Sequence, residues 1–350
     1  MHALLSDEQR MLKEVADQIA GSAGLANPSD LATRDRAAAW QALAQAGLLA
    51  LRVRDEDGRP TGSGVEVAVV AEALGAGLVP VPYLGSAVLA TELLVLAGAE
   101  EEAGELADGV SRTGVLLDRQ LYGLARLPGG DGRWYGWDVD GAAEALALVD
   151  SPEGPRVARV PLDTGFTQVE GADLTRVLTR RDAPIDPAGL RTVGRPLQAA
   201  DLLRWEALAL AAICADTVGV MRAAVTRAVD YAKERVQYGV LIGSFQAVQH
   251  LCAEAYVSAE AAASATNYAA WAVDELEPAE ALLAARTAKA HVASVARDVT
   301  ETVMQVFGGI GQTYEHIAHV HTRRALMNRQ LLGDEGTQLL RIADVRLTGE

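Results

Sequence analysis

Four short stretches hold the side chains best suited to chemistry: Arg235-Val-Gln237-Tyr238-Gly239, Phe245-Gln246 six residues later, Gln305-Val-Phe-Gly308-Gly309-Ile-Gly311, and Asp334-Glu335-Gly336-Thr337. A guanidinium at the end of a rigid helix forms charge-assisted bonds to phosphate, and Phe245 and Gln246 add apolar contact and an amide. Arg235 alone would equally serve to complement a helix dipole. The glycines of the third stretch follow a helical pattern, where they either end the helix or let backbone approach another molecule closely. No strand pattern precedes them, so a strand-first dinucleotide fingerprint does not apply. Glu335 is a carboxylate in a glycine-flanked turn, placed either to take a proton or to cap a helix. His316, His319 and His321 are crowded and lack a matching Cys or carboxylate pattern, so they read as surface histidines and no metal is assigned.

The elements that must position these residues fall into three textures. Residues 1–107 carry helical periodicity: a Ser6-Asp-Glu-Gln9 capping box precedes Leu12, Val15, Ala16 and Ile19. Further helices run from Asp35 to Ala46, from Val65 to Leu74, and after Pro82. Residues 108–198 lose that period. Gly and Pro clusters there separate short segments at 114–117, 133–139, 146–149, 156–160 and 167–170, which predicts a small antiparallel β domain. Trp134 and Trp137 read as packing residues of that domain. Residues 199–350 are helical again, with long helices over 202–234, 245–274 and 278–307 that predict a bundle.

Helical, β, helical is the layout of the acyl-CoA dehydrogenase family, and the four stretches resemble its motifs. The resemblance implies a mostly α fold with a small β domain, ending in a C-terminal four-helix bundle. It implies FAD as cofactor, with Arg235, Gln237, Tyr238, Phe245, Gln246, Gln305, Gly308 and Gly309 meeting the flavin of a neighbouring subunit. The implied reaction is α,β-desaturation of an acyl-CoA thioester, and Glu335 corresponds to the base that removes the α-proton. Burial under substrate would raise its pKa. Some relatives carry the base on the first bundle helix; the matching stretch here is Ala207 to Leu210, with Glu206 just ahead. The family's Thr-Glu-Pro and Trp-Ser/Thr segments, which hold the flavin ring, have no counterpart between 108 and 198.

Glu72-Ala-Leu-Gly75, Val81-Pro-Tyr-Leu84 and Gly243-Ser-Phe-Gln-Ala-Val248 are similar to the short acyl-CoA dehydrogenase subunits of bacterial steroid side-chain degradation. That resemblance implies a second, longer subunit in an α2β2 assembly, and an electron-transfer flavoprotein as acceptor. A self-sufficient homomeric dehydrogenase or flavin oxidase, and a non-catalytic scaffold subunit, are the alternatives.

Composition bounds these readings. With 350 residues, half of them hydrophobic, the chain can bury a large core. A formal charge of −16 excludes electrostatic nucleic-acid binding, which needs clustered Lys and Arg. Cys214 and Cys252 sit in apolar helical patterns and read as buried free thiols suited to a reducing cytoplasm. The start Met-His-Ala-Leu-Leu-Ser lacks a signal pattern. Charges interrupt the Ala-rich stretches before about 18 residues, the length a membrane span requires.

Overall fold

The computed structural model of the chain describes residues 4–129 and 132–348; Met1 to Ala3, where the expectation of no leader begins, lie outside them. Helix α1 (Asp7–Ala23) starts at the expected capping box: Gln9 N–H donates to Ser6 Oγ, and Ser6 N–H to Gln9 Oε1. Helices α2 (Asp30–Thr33), α3 (Arg36–Gln45, capped by Asp35) and α4 (Gly64–Ala76, capped by Ser63) follow. A fully buried π-helical segment, Tyr83–Ala90, then runs into α5 (Thr91–Leu96), and α6 (Glu100–Ala107) closes this region.

The middle region is one sheet made of β1 (Thr113–Leu117), β2 (Arg126–Leu127), β3 (Trp134–Trp137), β4 (Glu144–Val149), β5 (Arg156–Pro161), β6 (Thr167–Val169), β7 (Leu178–Arg181) and β8 (Arg191–Val193). Its order is β6-β7-β3-β1-β4-β5-β8, with β2 beside β4. The sheet is mixed, because β1 and β2 both pair with β4 in parallel, where the sequence predicts an antiparallel one. Short apolar segments between turns encode strand length but not direction; the packing partner chooses that. Strands β2, β7 and β8 match none of the predicted segments, since each has a single buried residue and no alternation to announce it.

Helix α7 (Ala199–Glu234) is the spine of the bundle. It continues into a two-stranded hairpin of β9 (Val236–Gln237) and β10 (Val240–Leu241), then α8 (Gln246–Glu275), α9 (Pro278–Phe307), α10 (Ala318–Gln330) and α11 (Glu335–Thr348). Every residue from Ala207 to Met221 is buried. Helix α4 crosses α7 backbone to backbone: a Cβ on Gly219 would lie 2.0 Å from Glu72 O, and one on Gly75 2.3 Å from Asp216 O. Contrary to the sequence reading, α7 is long and apolar enough to cross a membrane, having too few charges to break the run. Yet 89% of its most apolar window is buried within the fold, as in a core helix. The architecture is mostly α with a small β domain, as the sequence predicts.

Candidate functional site

At one end of the bundle the structure brings together most of the residues singled out for cofactor contact. Arg235 caps α7, its N–H donating to Tyr231 O at 2.8 Å and its carbonyl accepting from Ile242 N–H at 2.8 Å. The hairpin beyond it turns at Tyr238 (φ 53°) and Gly239 (φ 78°), the left-handed pair that a two-residue hairpin loop demands. Tyr238 is 94% exposed, and its ring meets Phe245 edge-on at 6.3 Å. Gln246 opens α8. Gly243 lets the connection lie on α7, because a Cβ there would come 2.8 Å from Ala232 O. The last turn of α9 joins this end through Phe307, whose ring lies 5.1 Å from Tyr231 and 4.3 Å from His316. Gly308 follows at φ 66°, and Gln305, Gly308 and Gly309 are exposed. Among the described residues, the side chains of Arg235, Gln246 and Gln305 have no hydrogen-bond or ionic partner within the chain, and Gln237 bonds only its neighbour's carbonyl. Positive and amide groups left free on rigid helix ends fit the phosphate and adenosine half of a dinucleotide presented from outside.

Trp137 offers no open face to a flavin ring. Trp137, nearest to the expected aromatic segment, is 2% exposed, and the Arg176 guanidinium covers its face at 5.4 Å from the ring centroid. Arg176 belongs to a buried charge cluster that fills the junction of sheet and bundle and that sequence reasoning missed. Asp216 of α7 accepts from Arg176 Nη2 at 2.9 Å, from Arg324 Nε at 3.1 Å and Nη2, and from Asn328 Nδ2 at 2.6 Å. Arg324 also donates to Thr175 Oγ1 and Val79 O, and Asp138 stands 3.6 Å from Arg176 while accepting from Gly85 N–H. A planar ring against Trp137 would have to displace Arg176 from this cluster. The signal was present: Asp216 is the one charge between Ala207 and Met221, and Arg324 and Asn328 share a helix face at i, i+4.

Burial raises the Asp138 carboxyl to about 6. Burial would raise Asp216 too, but the Arg176 and Arg324 guanidiniums outweigh it and hold that carboxyl at about 2. His321 is buried rather than on the surface, against expectation, because α10 turns it into the same junction. Desolvation holds its imidazole at about 3. Unfolded, it takes a proton below its ordinary 6.5, and folded only near 3, so its contribution to stability is complete above 6.5 and is lost as pH falls toward 3. Asp138 acts with the opposite sign between about 6 and 3.8. Chemical denaturation at about pH 7 and about pH 5 should show the protein losing about 2 kcal/mol more than a His321→Gln variant over that interval. Equal losses in the two proteins would contradict a neutral buried imidazole.

Glu335 begins α11 beside the α10–α11 turn, and Asp334 caps that helix by accepting from Thr337 N–H at 3.0 Å. The Glu335 carboxylate is gripped by Arg329 through Nε at 2.8 Å and through Nη2. The hydrogen bonds from Arg329 hold its pKa below the ordinary carboxylate value. Lys289, 1% exposed on α9, donates to the Asn328 and Arg329 carbonyls at 2.8 Å each and so ends α10. Burial lowers its ammonium to about 8. Glu206, on α7, is paired with Arg286 and Arg341. Glu335 and the Arg235 end are thus separate features. Among the described residues no group of three or more His, Cys, Asp or Glu is arranged to hold a metal.

Comparison with known proteins gives this geometry a family. Residues 6–109 match the acyl-CoA dehydrogenase N-terminal domain, and residues 198–347 the acyl-CoA dehydrogenase C-terminal domain. Acyl-CoA dehydrogenase IpdE2 of Mycobacterium tuberculosis is 31% identical over 93% of both chains. Acyl-CoA dehydrogenase FadE34 of the same organism is 30% identical over the whole chain, which spans about half (49%) of that relative's length. Among solved structures, the Tcur3481-Tcur3483 steroid ACAD variant superposes with a TM-score of 0.79 at 25% identity, covering 98% of each chain. The ChsE4-ChsE5 complex from M. tuberculosis superposes at 0.78 with 23% identity, covering 99% of each. The chain belongs to the acyl-CoA dehydrogenase family of FAD-dependent oxidoreductases.

Proposed function

We propose that this chain is the short subunit of a two-chain acyl-CoA dehydrogenase that desaturates a bulky, steroid-derived acyl-CoA at the α,β position. In this reading it contributes bundle-side contacts to a flavin whose ring lies on the longer subunit. The observation that carries it is the contrast between the two half-sites: Arg235 and Gln305 stand free at an exposed helix end, while Trp137 is sealed under Arg176. Similarity to a steroid enzyme and to a two-chain complex supports the substrate class and the pairing. When bound, the flavin supplies the acceptor for the β-hydrogen. Arg235 neutralises pyrophosphate charge, the Gln246 and Gln305 amides meet the nucleotide, and the left-handed Gly308 lets the backbone turn away beside it. An electron-transfer flavoprotein is the proposed acceptor, and the cytoplasm the proposed location.

The test is to purify the chain alone and co-expressed with a candidate longer subunit, and to record the visible spectrum and native mass. Flavin bound only in the hetero-assembly is the expected result. Full flavin occupancy and turnover by the lone chain would overturn the obligate-partner reading, and a colourless hetero-assembly would favour a scaffold.

Glu335 is the proposed base in the self-sufficient reading. Its position at the start of α11 favours that role, whereas the Arg329 grip keeps the carboxylate ionised and weakly basic. Turnover of the hetero-assembly with Glu335→Gln in this chain should stay within about tenfold of the parent, whereas loss of a general base costs about 10²–10⁴-fold. A loss of the larger size, together with lost α-proton exchange and retained flavin, would move proton abstraction onto this chain.

A further inference from the structure

Between α7, the loop after β1 and the α10–α11 turn lies a cavity of about 170 Å³. Leu202, Trp205 and Glu206 form its floor, Tyr122 and Leu124 one wall, and Leu332 and Arg341 the other. It is smaller than the roughly 300 Å³ at which pockets for drug-sized ligands begin. The loop 118–124 supplies one of its walls. That loop is a closed unit: Asp118 N–H donates to Gly123 O at 3.0 Å, and Tyr122 N–H donates to the Asp118 carboxylate at 3.0 Å. It is fastened to the opposite wall at its tip, where Leu332 N–H donates to Leu121 O at 2.7 Å.

Both residues of that fastening are leucines in the left-handed region, Leu121 at φ 63° and Leu332 at φ 57°. A bulky L-residue adopts that conformation only where its surroundings hold it there. The holding groups are identifiable. Arg341 donates through Nη2 to Tyr122 O at 3.3 Å and through Nη1 to Leu332 O at 3.4 Å and to Glu206 at 3.2 Å, tying loop, turn and α7 floor to one guanidinium. Arg286 steadies Glu206 from the other side, and the buried Gln338 donates to Leu332 O at 2.6 Å. A single planar fork that meets three elements is geometry a point charge could not reproduce.

We infer that Arg341 is a gating residue: it latches the loop 118–124 across the α10–α11 turn and so keeps this chain's own cavity too narrow for an acyl thioester. The inference rests on the reading of the chain as a subunit that leaves the chemistry to its neighbour, and supplies the physical reason its own cavity stays silent. Releasing the guanidinium removes three hydrogen bonds at once and lets two strained leucines relax, so the wall of Tyr122 and Leu124 moves off Trp205 and Leu202. The cavity then widens between apolar walls, which suits an aliphatic acyl group.

The experiment compares the parent chain with Arg341→Ala, each purified alone and with its longer subunit, using hexanoyl-CoA as probe. Amide exchange at residues 118–124 and at Leu332 should quicken by at least about tenfold in the variant, the effect of losing one charge-assisted bond of ordinary strength, while exchange in β4 and β5 stays unchanged. Calorimetric titration should detect hexanoyl-CoA binding to the variant chain alone and none to the parent. Glu206→Gln keeps the side-chain volume and frees Arg341 from its ionic partner, so it should move both readouts in the same direction by a smaller factor, and it decides the matter if Arg341→Ala does not fold. Unchanged exchange in the loop of the folded variants, or equal probe binding by parent and variants, overturns the latch. Flavin absorbance of the same hetero-assemblies reports separately on the subunit reading, so the two failures are distinguishable.

Discussion

Asp216→Ala should destabilise the fold by about 3–5 kcal/mol, the range for removing one partner of a buried ion pair. Asp216 is 1% exposed, and its two oxygens take four donors from Arg176, Arg324 and Asn328. The substitution leaves two guanidiniums buried at the junction of sheet and bundle, with Asp138 and Asp173 too poorly placed to replace it: the first is 3.6 Å and the second 3.5 Å from Arg176. Urea denaturation at about pH 7 measures the effect, since the folded carboxyl, held at about 2, is then fully ionised. The sign is fixed by linkage. A depressed folded pKa means that the contribution is present above the ordinary 3.8 and is lost as pH falls through about 2. A loss below about 1 kcal/mol, the size of a surface ion pair, would show that the cluster is not what locks the three regions together.

Arg235→Ala in the hetero-assembly should weaken flavin binding by about 10- to 150-fold, the factor that corresponds to one hydrogen bond to a charged group. The chain should fold unchanged, because the guanidinium has no partner within it and only the backbone of Arg235 is engaged. Flavin fluorescence released on dilution measures the affinity, and Arg235→Lys should recover part of it, since the charge returns without the fork. Flavin retention equal to the parent would remove Arg235 from the cofactor contact, and with it the strongest residue behind the proposed subunit role. The corresponding Gln305→Ala change, at an amide and not a charge, should cost less.

Local signals made much of this legible without coordinates. Ser6 to Gln9 satisfies its own helix start, Asp35 stands at the start of the helix over 36–45, and Pro278 opens a long one. Each of these depends on residues a few positions apart, so spacing alone is sufficient evidence. The motif residues of the exposed bundle end were legible for the same reason: Arg235, Gln237, Tyr238, Phe245 and Gln246 fall within one helix end, one hairpin and one helix start.

What spacing could not disclose is anything made by residues far apart in the chain. The parallel pairing of β1 with β4 depends on which strand packs where, and the mixed sheet followed. His321 reads as a surface residue in the sequence, and only the packing of α10 into the bundle buries it. The sequence by itself determined three textures and the helix ends, among them the one that carries Arg235, because those are set by local periodicity and capping. The tertiary structure alone decided that Arg176 and Arg324 converge on Asp216 from 40 and 108 residues away in sequence, and that Arg341 fastens loop to turn. A buried charge acquires its meaning from the partners that replace its water, and those partners are chosen by the fold.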